Sequence, residues 1–422
     1  MREELLTYLW KTQNFRRGQL KTTSGESIVV VKPGQENALA GPDFFNAHIK
    51  INSTLWVGNV EIHVNSSDWF NHNHQNDSNY DNVILHVVWK ADVPVFDPSQ
   101  QPLPTLCLEQ YANKNFVKRY TKWLTQTDKW ILCEDKLPKL SQFVRQQFWE
   151  NLYVERLMEK TTLLQSWLTL TQNNWEAVFF VALSKGFGLR QNGMAFAQLA
   201  LSVPWIAVLK NTSNIERLEA LFMGQAGLLN KPFENEYFQK LQKTYAYLKH
   251  KYKLNPSSER ATFFRLGPTN FPTIRLAQLA WLVHHKPRLL NLVQRAETIH
   301  DWYDILDAKT STFWDNHYHF DTPSKPRVNR LTRHFKDLLL LNTIFPFLFQ
   351  YYSYLGDARK ADILDWVRQL PAEKNKYVAN FNRLGCLIKD ALESQACIQL
   401  KQNYCTPRRC LKCAFGHTLL NL

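Results

Sequence analysis

The sequence has little glycine or proline and no long uninterrupted apolar run. Of its 422 residues, 14 are Gly and 18 are Pro, whereas 45% are hydrophobic and 13% are aromatic. This composition excludes a collagen, a coiled coil and a disordered chain. At this length the chain can bury the cores of two or three domains, so we expect a folded protein.

Features of secreted and membrane proteins are also scarce. The first residues include the acidic Glu3 and Glu4 and no apolar stretch before a cleavage-type site, so we expect no secretory signal. The longest apolar segment, 337–355, is interrupted by Asn342 and Pro346, which favours two buried helices over a membrane span. We therefore expect a cytoplasmic protein without a membrane partner.

Acidic residues are fewer than basic ones, and the imbalance is uneven along the chain. The formal net charge is +14, yet residues 1–138 carry 14 Lys and Arg against 15 Asp and Glu. Residues 139–422 carry 37 against 22. This asymmetry is typical of a chemical module joined to a module that holds a polyanion, so nucleic acid is a candidate partner. Protein partners cannot be inferred from it.

The apolar spacing changes near Pro138 and divides the chain. Residues 1–138 predict an α/β domain in which a short helix precedes three strands, a second helix and a fourth strand. The expected helix is Glu3–Trp10, and the expected strands are Ser27–Val31, Phe44–Ile51, Thr54–Val64 and Asn82–Lys90. From 139 to 395, apolar residues recur every three or four positions, which predicts a mainly helical, basic domain. Residues 396–422 form a Cys-rich tail.

The densest polar cluster lies between Pro42 and His86, where five of the 13 His are found. On a strand Glu61 and His63 point to the same face, and Asp43 opens the preceding strand of a hairpin. Two carboxylates there suit Mg²⁺ or Mn²⁺, and His63 can orient or deprotonate a water.

A polar loop follows this hairpin. His72 and His74 can assist as an acid or as further ligands, or form a Zn²⁺ or Mn²⁺ site with Asp77. Glu4 in the first helix is a further candidate acid. His86, within an apolar strand, is expected to be a buried, hydrogen-bonded histidine.

The pattern of these residues resembles the restriction-endonuclease-like nuclease superfamily. Pro42-Asp43, seventeen residues and then Glu61-Ile62-His63 is similar to its P-D…(D/E)-x-K core, in which two acids hold a divalent metal and Lys assists the water. His63 stands at the Lys position. Trp69, His72 and His74 resemble the W-H-x-H-like stretch of the very-short-patch repair subgroup. The resemblance implies a mixed sheet with flanking helices, and Asp43, Glu61, His63, His72 and His74 as catalytic residues.

A second resemblance covers nearly the whole chain. Phrases such as "GNVEIHVNSSDW" and "NFPTIRLAQLA" resemble a family of uncharacterised bacterial proteins of about this length, classed as a domain of unknown function. This resemblance implies a bacterial source and no particular activity.

The tail carries a candidate second metal site. Cys397, Cys405, Cys410 and Cys413 lie within 26 residues, and the last two form a C-x2-C knuckle. Thiolates gathered this closely bind Zn²⁺ or hold an iron–sulfur cluster. His417 is an alternative fourth ligand to Cys397.

Basic residues alternate with aromatic ones in two segments of the helical region. The first contains Arg260, Arg265 and Arg275, and the second contains Arg327, Arg330, Arg333 and Lys336. Because the second set recurs every three residues, we expect one helical face of cations that follows a phosphodiester backbone.

Three functions fit these patterns. The first is metal-dependent cleavage of a phosphodiester in nucleic acid, with DNA favoured, and the second is nucleic-acid binding without turnover on the same scaffold. The third is hydrolysis of a small substrate by a metal held in the His/Asp cluster.

Overall fold

The chain forms two compact units. The computed structural model describes residues 1–37, 39–97, 100–126, 128–231, 233–255 and 257–422. Met1–Phe148 and Leu400–Leu422 make the first unit, and Trp149–Gln399 makes the second. The Cys-rich segment 396–422 is thus divided between the units, and most of it belongs with the α/β region.

Strands lie in the first unit and most helices in the second. The strands are β1 (Leu20–Lys21), β2 (Ser27–Lys32), β3 (Gln35–Glu36), β4 (Phe44–Ile51), β5 (Thr54–Asn65), β6 (Val83–Lys90) and β7 (Thr105–Cys107). The α-helices are α1 (Glu3–Thr12), α2 (Asp68–Asn71), α3 (Lys114–Leu124), α4 (Gln142–Leu170), α5 (Trp175–Phe187), α6 (Leu189–Leu201), α7 (Trp205–Leu209), α8 (Ile215–Gln225), α9 (Glu236–Tyr252), α10 (Pro272–His285), α11 (Leu289–Arg295), α12 (Ile299–Ile305), α13 (Arg333–Leu339), α14 (Phe345–Leu355), α15 (Asp362–Arg368), α16 (Lys376–Arg383), α17 (Ala391–Gln399) and α18 (Ala414–Asn421).

The sheet is mixed. Within the described residues its order is β1-β2-β4-β5-β6-β7, and β3 pairs with β4 off this path. The pairs from β1 to β5 are antiparallel, whereas β5–β6 and β6–β7 are parallel. The predicted order of helix, three strands, helix and strand is therefore found, with the short strands β1, β3 and β7 added to it.

The predicted hairpin of β4 and β5 forms as expected. Asn52 adopts a positive φ of 52° in the turn, a conformation that Asn tolerates better than most residues. The pairing slips between Phe44 and Ala47, where Asn46 also has a positive φ. This bulge lies immediately after Asp43, the first residue of the candidate site.

The core of the first unit lies between α1 and the sheet. Leu6 and Trp10 of α1 join Ile49, Ile62 and Val87 in one buried apolar cluster. Because side chains alternate along a strand, burying Ile62 in this core turns its neighbours in β5 to the opposite face. Those neighbours are Glu61 and His63.

The second unit is mainly helical, as the apolar spacing predicted, but no helix ends at Asn342. A π-helical segment, Leu340–Ile344, joins α13 to α14, so Arg333–Leu355 runs as one continuous helix rather than two. Pro346 is tolerated because it lies in the first turn of α14, where the wider π turn has already displaced the backbone hydrogen bonds.

By length and composition this helix is the one candidate membrane span in the described part of the chain. More than half of its most apolar window, 56%, is buried inside the protein. Buried core helices pass the same test, so the signal is weak.

Candidate functional site

Two carboxylates meet where β4 begins beside β5. Glu61 Oε2 accepts a hydrogen bond from Asp43 N at 3.1 Å, and Asp43 Oδ2 accepts one from Ile62 N at 3.0 Å. This reciprocal pairing fixes both side chains to the backbone of the neighbouring strand. The predicted proximity of Asp43 and Glu61 is therefore present.

Three histidines lie together beside the Glu61 carboxylate. His63, His72 and His74 each offer a ring nitrogen, and these atoms all lie within 4.8 Å of one another. Glu61 Oε1 lies 3.3 Å from His74 Nε2 and 3.5 Å from His63 Nε2. His63 Nε2 is also 3.1 Å from His72 Nδ1. The three ring nitrogens thus converge, and Glu61 contacts two of the rings; we call these four residues the His/Glu cluster.

Aromatic residues and a fourth histidine hold the cluster in place. His63 Nδ1 and His86 Nε2 are 2.9 Å apart and share a hydrogen bond. Tyr80 stacks on His74 with ring centroids 3.8 Å apart, and Trp69 contacts the edges of both His74 and His86. A ligating histidine commonly donates its second ring N–H to such a partner, which fixes the tautomer. His86 suits that role for His63.

Burial keeps His63 and His86 neutral. It lowers the pKa of His63 to about 3, and the charges of His74 and His72 lower it further while Asp68 opposes them. Burial also lowers the pKa of His86 well below its usual range. Neutral imidazoles keep a lone pair for a metal at physiological pH.

The pKa of Asp43 is shifted in the opposite direction. Burial first, and then the charge of Glu61, raises the pKa of Asp43 to about 7, although the hydrogen bond from Ile62 opposes the shift. A carboxyl with this pKa exchanges a proton near neutral pH, which is the property of a general base. Asp43 is therefore a candidate proton acceptor beside the three histidines.

A further acid comes from α1, but it is Glu3 rather than the expected Glu4. Partial desolvation raises the pKa of Glu3, and the charges that act on it include those of His72 and Glu61. The charge of Glu4 acts instead on Tyr120 and Cys410. Adjacent residues of a helix point about 100° apart, so the two acids face different surroundings.

The donor set fits a divalent transition metal. His74 Nε2 is buried without a hydrogen bond of acceptable geometry, although Glu61 Oε1 is close to it. A buried nitrogen in this condition is costly unless something binds its lone pair. Three imidazoles with a carboxylate suit Zn²⁺ or Mn²⁺ better than Mg²⁺, which prefers oxygen ligands.

The two remaining polar candidates of this region have local roles. Asp68 Oδ2 accepts a hydrogen bond from Asn65 N at 2.9 Å. Asp77 Oδ1 accepts one from Asn79 N and so caps the turn that carries Tyr80. Asp77 therefore supports the loop and is absent from the three-histidine group.

The expected basic helical face does not form. Arg327 and Arg330 lie in an extended segment, because the helix begins only at Arg333. Thr332 caps that helix, since its side chain accepts a hydrogen bond from Phe335 N. The three-residue spacing of these cations therefore does not place them on one helical face.

Several of the predicted phosphate-binding cations have acidic partners. Arg330 and Lys336 both pair with Asp307, and Lys336 Nζ lies 3.1 Å from its Oδ1. Arg260 and Arg265 lie exposed in the segment before α10. Exposed cations without such pairing keep their charge available to a polyanion.

Arg275 is not at the surface. Its guanidinium donates to Gln278 Oε1 and to Asn270 Oδ1, and it stacks 3.5 Å from the centroid of the Phe335 ring. With 7% of its surface exposed, it is a structural residue of the helical unit. The expectation that Arg275 binds nucleic acid is therefore wrong, because its guanidinium is buried within the unit.

The four tail cysteines do not belong to one unit. Cys397 is buried in α17 of the second unit, where Cys386 and Glu393 influence it electrostatically. The other three, Cys405, Cys410 and Cys413, lie in the first unit. The set with Cys397 as fourth ligand stays a prediction, and the structure places Cys397 at a buried position of α17.

A different cysteine lies beside these three. Lys401 Nζ donates to Trp130 O at 2.9 Å and stacks over the Trp130 ring, which joins the tail to the segment before Cys133. Cys405 is one helical turn beyond Lys401. Burial raises the pKa of Cys405, and the charges of Cys413, Cys133 and Cys410 raise it further.

The expectation that His86 is a buried, hydrogen-bonded histidine is confirmed, since it is fully buried and shares a hydrogen bond with His63. That His63 is its partner, and that Tyr80 stacks on His74, carried no local signal in the sequence. Cys133 precedes Cys405 by more than 270 residues. A separation of that size leaves no spacing pattern to recognise.

One family model matches this chain. It is described as "Protein of unknown function (DUF2851)" and matches residues 3–376. No curated protein and no solved structure gives a significant match. The chain therefore belongs to the DUF2851 family, as the second sequence resemblance anticipated.

Proposed function

We propose that this DUF2851 protein hydrolyses phosphodiester bonds in nucleic acid, most readily DNA, with a divalent metal held by the His/Glu cluster. The observation that carries this proposal is the grouping of three histidines with Glu61 beside Asp43, a carboxyl whose pKa is raised to about 7. Metal-dependent phosphodiester hydrolysis uses a metal site and a nearby proton acceptor, which the cluster and Asp43 would supply.

The strand order supports a restriction-endonuclease-like core. Antiparallel β2, β4 and β5 followed by parallel β6 is the arrangement that the resemblance implies, with α1 packed on the sheet. Asp43 and Glu61 occupy the strands expected for its two acids. This agreement supports the analogy at the level of topology, and the site residues carry the functional argument.

The site residues would divide the chemistry among them. Glu61, His63, His72 and His74 would hold the metal, which when bound polarises a phosphoryl oxygen and acidifies a water. Asp43 would accept the proton of the attacking water, since its pKa is about 7. His63 would bind the metal through Nε2 while His86 holds its Nδ1, so it would not deprotonate the water.

Substrate affinity would come from exposed cations. Arg260, Arg265, Arg327 and Arg333 are exposed in the basic unit. Contacts of Arg with phosphate release condensed counterions, so binding should weaken steeply as salt rises.

Cleavage assays with matched variants test the proposal. Wild type, Glu61→Gln and the control His48→Ala would be incubated with labelled DNA and RNA in Mg²⁺, Mn²⁺ and Zn²⁺. His48 lies on the same hairpin, paired with Val57, outside the cluster. We expect cleavage by wild type and control, and loss of at least ~100-fold in Glu61→Gln with DNA binding retained.

Other outcomes of these assays would favour one of the two alternative functions or refute the site. Salt-dependent DNA binding without cleavage would overturn the catalytic proposal in favour of the binding protein. Absence of nucleic-acid binding, with hydrolysis of bis(p-nitrophenyl) phosphate that requires Glu61, would favour the small-substrate metallohydrolase. Cleavage by Glu61→Gln at the wild-type rate would refute the site.

A second metal centre is proposed at the tail cysteines. Cys133, Cys405, Cys410 and Cys413 would hold Zn²⁺ or an iron–sulfur cluster, since the Lys401–Trp130 contact brings the first of them to the tail. Four thiolates satisfy either metal.

Metal analysis distinguishes this set from the one expected from the sequence. Elemental analysis and visible absorption of anaerobically purified protein would identify the metal. We expect Cys133→Ser to lose it and Cys397→Ser to keep it. Metal retained in Cys133→Ser would contradict the assignment.

A further inference from the structure

The helical unit contains a cavity unrelated to the His/Glu cluster. Its volume is about 440 Å³, and the residues that line it come from α4, α5, α6 and the helix of Arg333–Leu355. Pockets for small organic ligands have volumes of roughly 300–1,000 Å³. The cavity is therefore large enough for one such molecule.

The lining of the cavity combines apolar and cationic side chains. The apolar wall is formed by Leu163, Leu164, Trp167, Leu338 and Pro346. Lys160, Lys185 and Arg190 also line it. A molecule that satisfied both would combine an apolar body with an anionic group.

Lys160 does not supply the free cation, because its donors are used. Its Nζ donates to Leu341 O and Asn342 Oδ1, each at 3.0 Å, and to Gln395 Oε1 at 2.7 Å. Arg156 Nε donates to the same Gln395 oxygen at 2.6 Å. This network of hydrogen bonds fixes the position of the Lys160 side chain.

Lys185 and Arg190 are different. Among the described residues no carboxylate lies within ion-pair distance of either cation. Desolvation alone perturbs Lys185 and lowers its pKa, without an acid to offset it. A partly buried cation beside an apolar wall is costly, and an anion bound in the cavity would remove that cost.

The cavity is built where the backbone departs from regular helix. Leu341 and Asn342, which hold Lys160, lie in the π-helical segment. Gly186 lets α5 approach this segment, since a Cβ there would lie 2.4 Å from Thr343 Oγ1 and 2.8 Å from Leu339 Cδ2. Single π turns inside α-helices often mark ligand sites.

We propose that this cavity binds an amphiphilic organic anion, whose carboxylate, sulfonate or phosphate group pairs with Lys185 while its apolar body packs against Leu163, Leu164 and Trp167. This inference is independent of the proposed nuclease activity, because every residue that it uses lies in the second unit.

Paired fluorescent probes test the proposal on the full chain. 1-Anilinonaphthalene-8-sulfonate carries the required anion, and N-phenyl-1-naphthylamine is its neutral counterpart. We expect Lys185→Met to weaken binding of the sulfonate by about tenfold or more, as for loss of a charge-assisted hydrogen bond, and to leave the neutral probe unaffected. Lys249→Met, an exposed lysine of α9, is the control.

Three further measurements complete the test. Leu163→Trp, which narrows the cavity, should weaken both probes, and laurate or phenyl phosphate should displace the sulfonate. Laurate and phenyl phosphate differ in the anion, so their relative potency identifies the head group that the site prefers. On the wild type alone, sulfonate binding should weaken as NaCl rises from about 0.05 to 0.5 M.

Two results would overturn the proposal. One is equal loss of both probes in Lys185→Met, which would mean that the charge plays no part. The other is sulfonate binding to wild type that salt does not change. The wild-type measurement decides the question even if a variant folds poorly.

Discussion

Replacing Asp43 with Asn should stabilise the metal-free protein at alkaline pH. The folded-state pKa of Asp43 is about 7, against an ordinary value of 3.8. Between these values the folded protein holds a proton that the unfolded chain has released. Stability therefore falls as pH rises through this window, and the loss is complete above about pH 7.

The shift sets the size of the effect. Three pKa units at ~1.4 kcal/mol each give an upper bound of about 4 kcal/mol for ionising this carboxyl in the folded state. Partial exposure of Asp43 to solvent reduces this bound, so we expect about 1–3 kcal/mol. Asn keeps an oxygen to accept the hydrogen bond from Ile62 N.

Urea unfolding in the presence of a chelator measures the effect. Hydrogen exchange of peptides from β4 and β5 would report the first unit separately from the second. Asp43→Asn should match wild type near pH 4 and exceed it at pH 8, whereas Asp81→Asn, an exposed acid of the same unit, should change neither. Added Mn²⁺ should stabilise both wild type and Asp43→Asn, because the proposed metal ligands are unchanged and ligand binding stabilises the state that it prefers.

A single result would refute this reasoning. If Asp43→Asn were equally or less stable than wild type at pH 8, with the same difference at pH 4, the carboxyl would not be strained in the folded protein. Asp43 would then also lose its role as the proton acceptor.

Three further predictions concern other parts of the chain. Gly186→Ala should destabilise the helical unit by about 1–3 kcal/mol in urea unfolding, because its Cβ would overlap Thr343, whereas Gly18→Ala, with open space around it, should change stability by less than about 0.5 kcal/mol. The folded-state pKa of His63 is about 3, against an ordinary value of 6.5, so the contribution of His63 to the stability of the metal-free protein is present above pH 6.5 and is lost as pH falls towards 3. His63→Gln should reduce the slope of unfolding free energy against pH in this range by the equivalent of up to one bound proton. In fluorescence anisotropy, Arg265→Gln should lower the slope of log affinity against log salt for DNA by about one, and an unchanged slope would remove Arg265 from the interface.

Local patterns predicted the elements that position the site. The alternation on both sides of Asn52 predicted the β4–β5 hairpin, and two-residue spacing placed Glu61 and His63 on one face. The apolar run at 82–90 predicted a buried strand, which the structure places as β6 beside β5. Each of these inferences depends on neighbours in sequence, and such patterns are set by local geometry.

Contacts between distant segments were beyond the same reasoning. Nothing around Arg275 indicates that its guanidinium stacks on Phe335, and the three-residue spacing after Arg327 predicted a helix where the chain is extended. The proposal of Cys133 in place of Cys397 likewise depends on contacts between distant segments. Periodicity gives no information on these.

The central claim is that one divalent metal binds among Glu61, His63, His72 and His74. The most direct test is an anomalous difference map from crystals soaked in Mn²⁺, measured with wild type and with His74→Ala. We predict a peak about 2.0–2.3 Å from a nitrogen of each histidine, which disappears in His74→Ala. A map with no peak at this cluster, while Mn²⁺ occupies other carboxylates of the protein, would contradict the account.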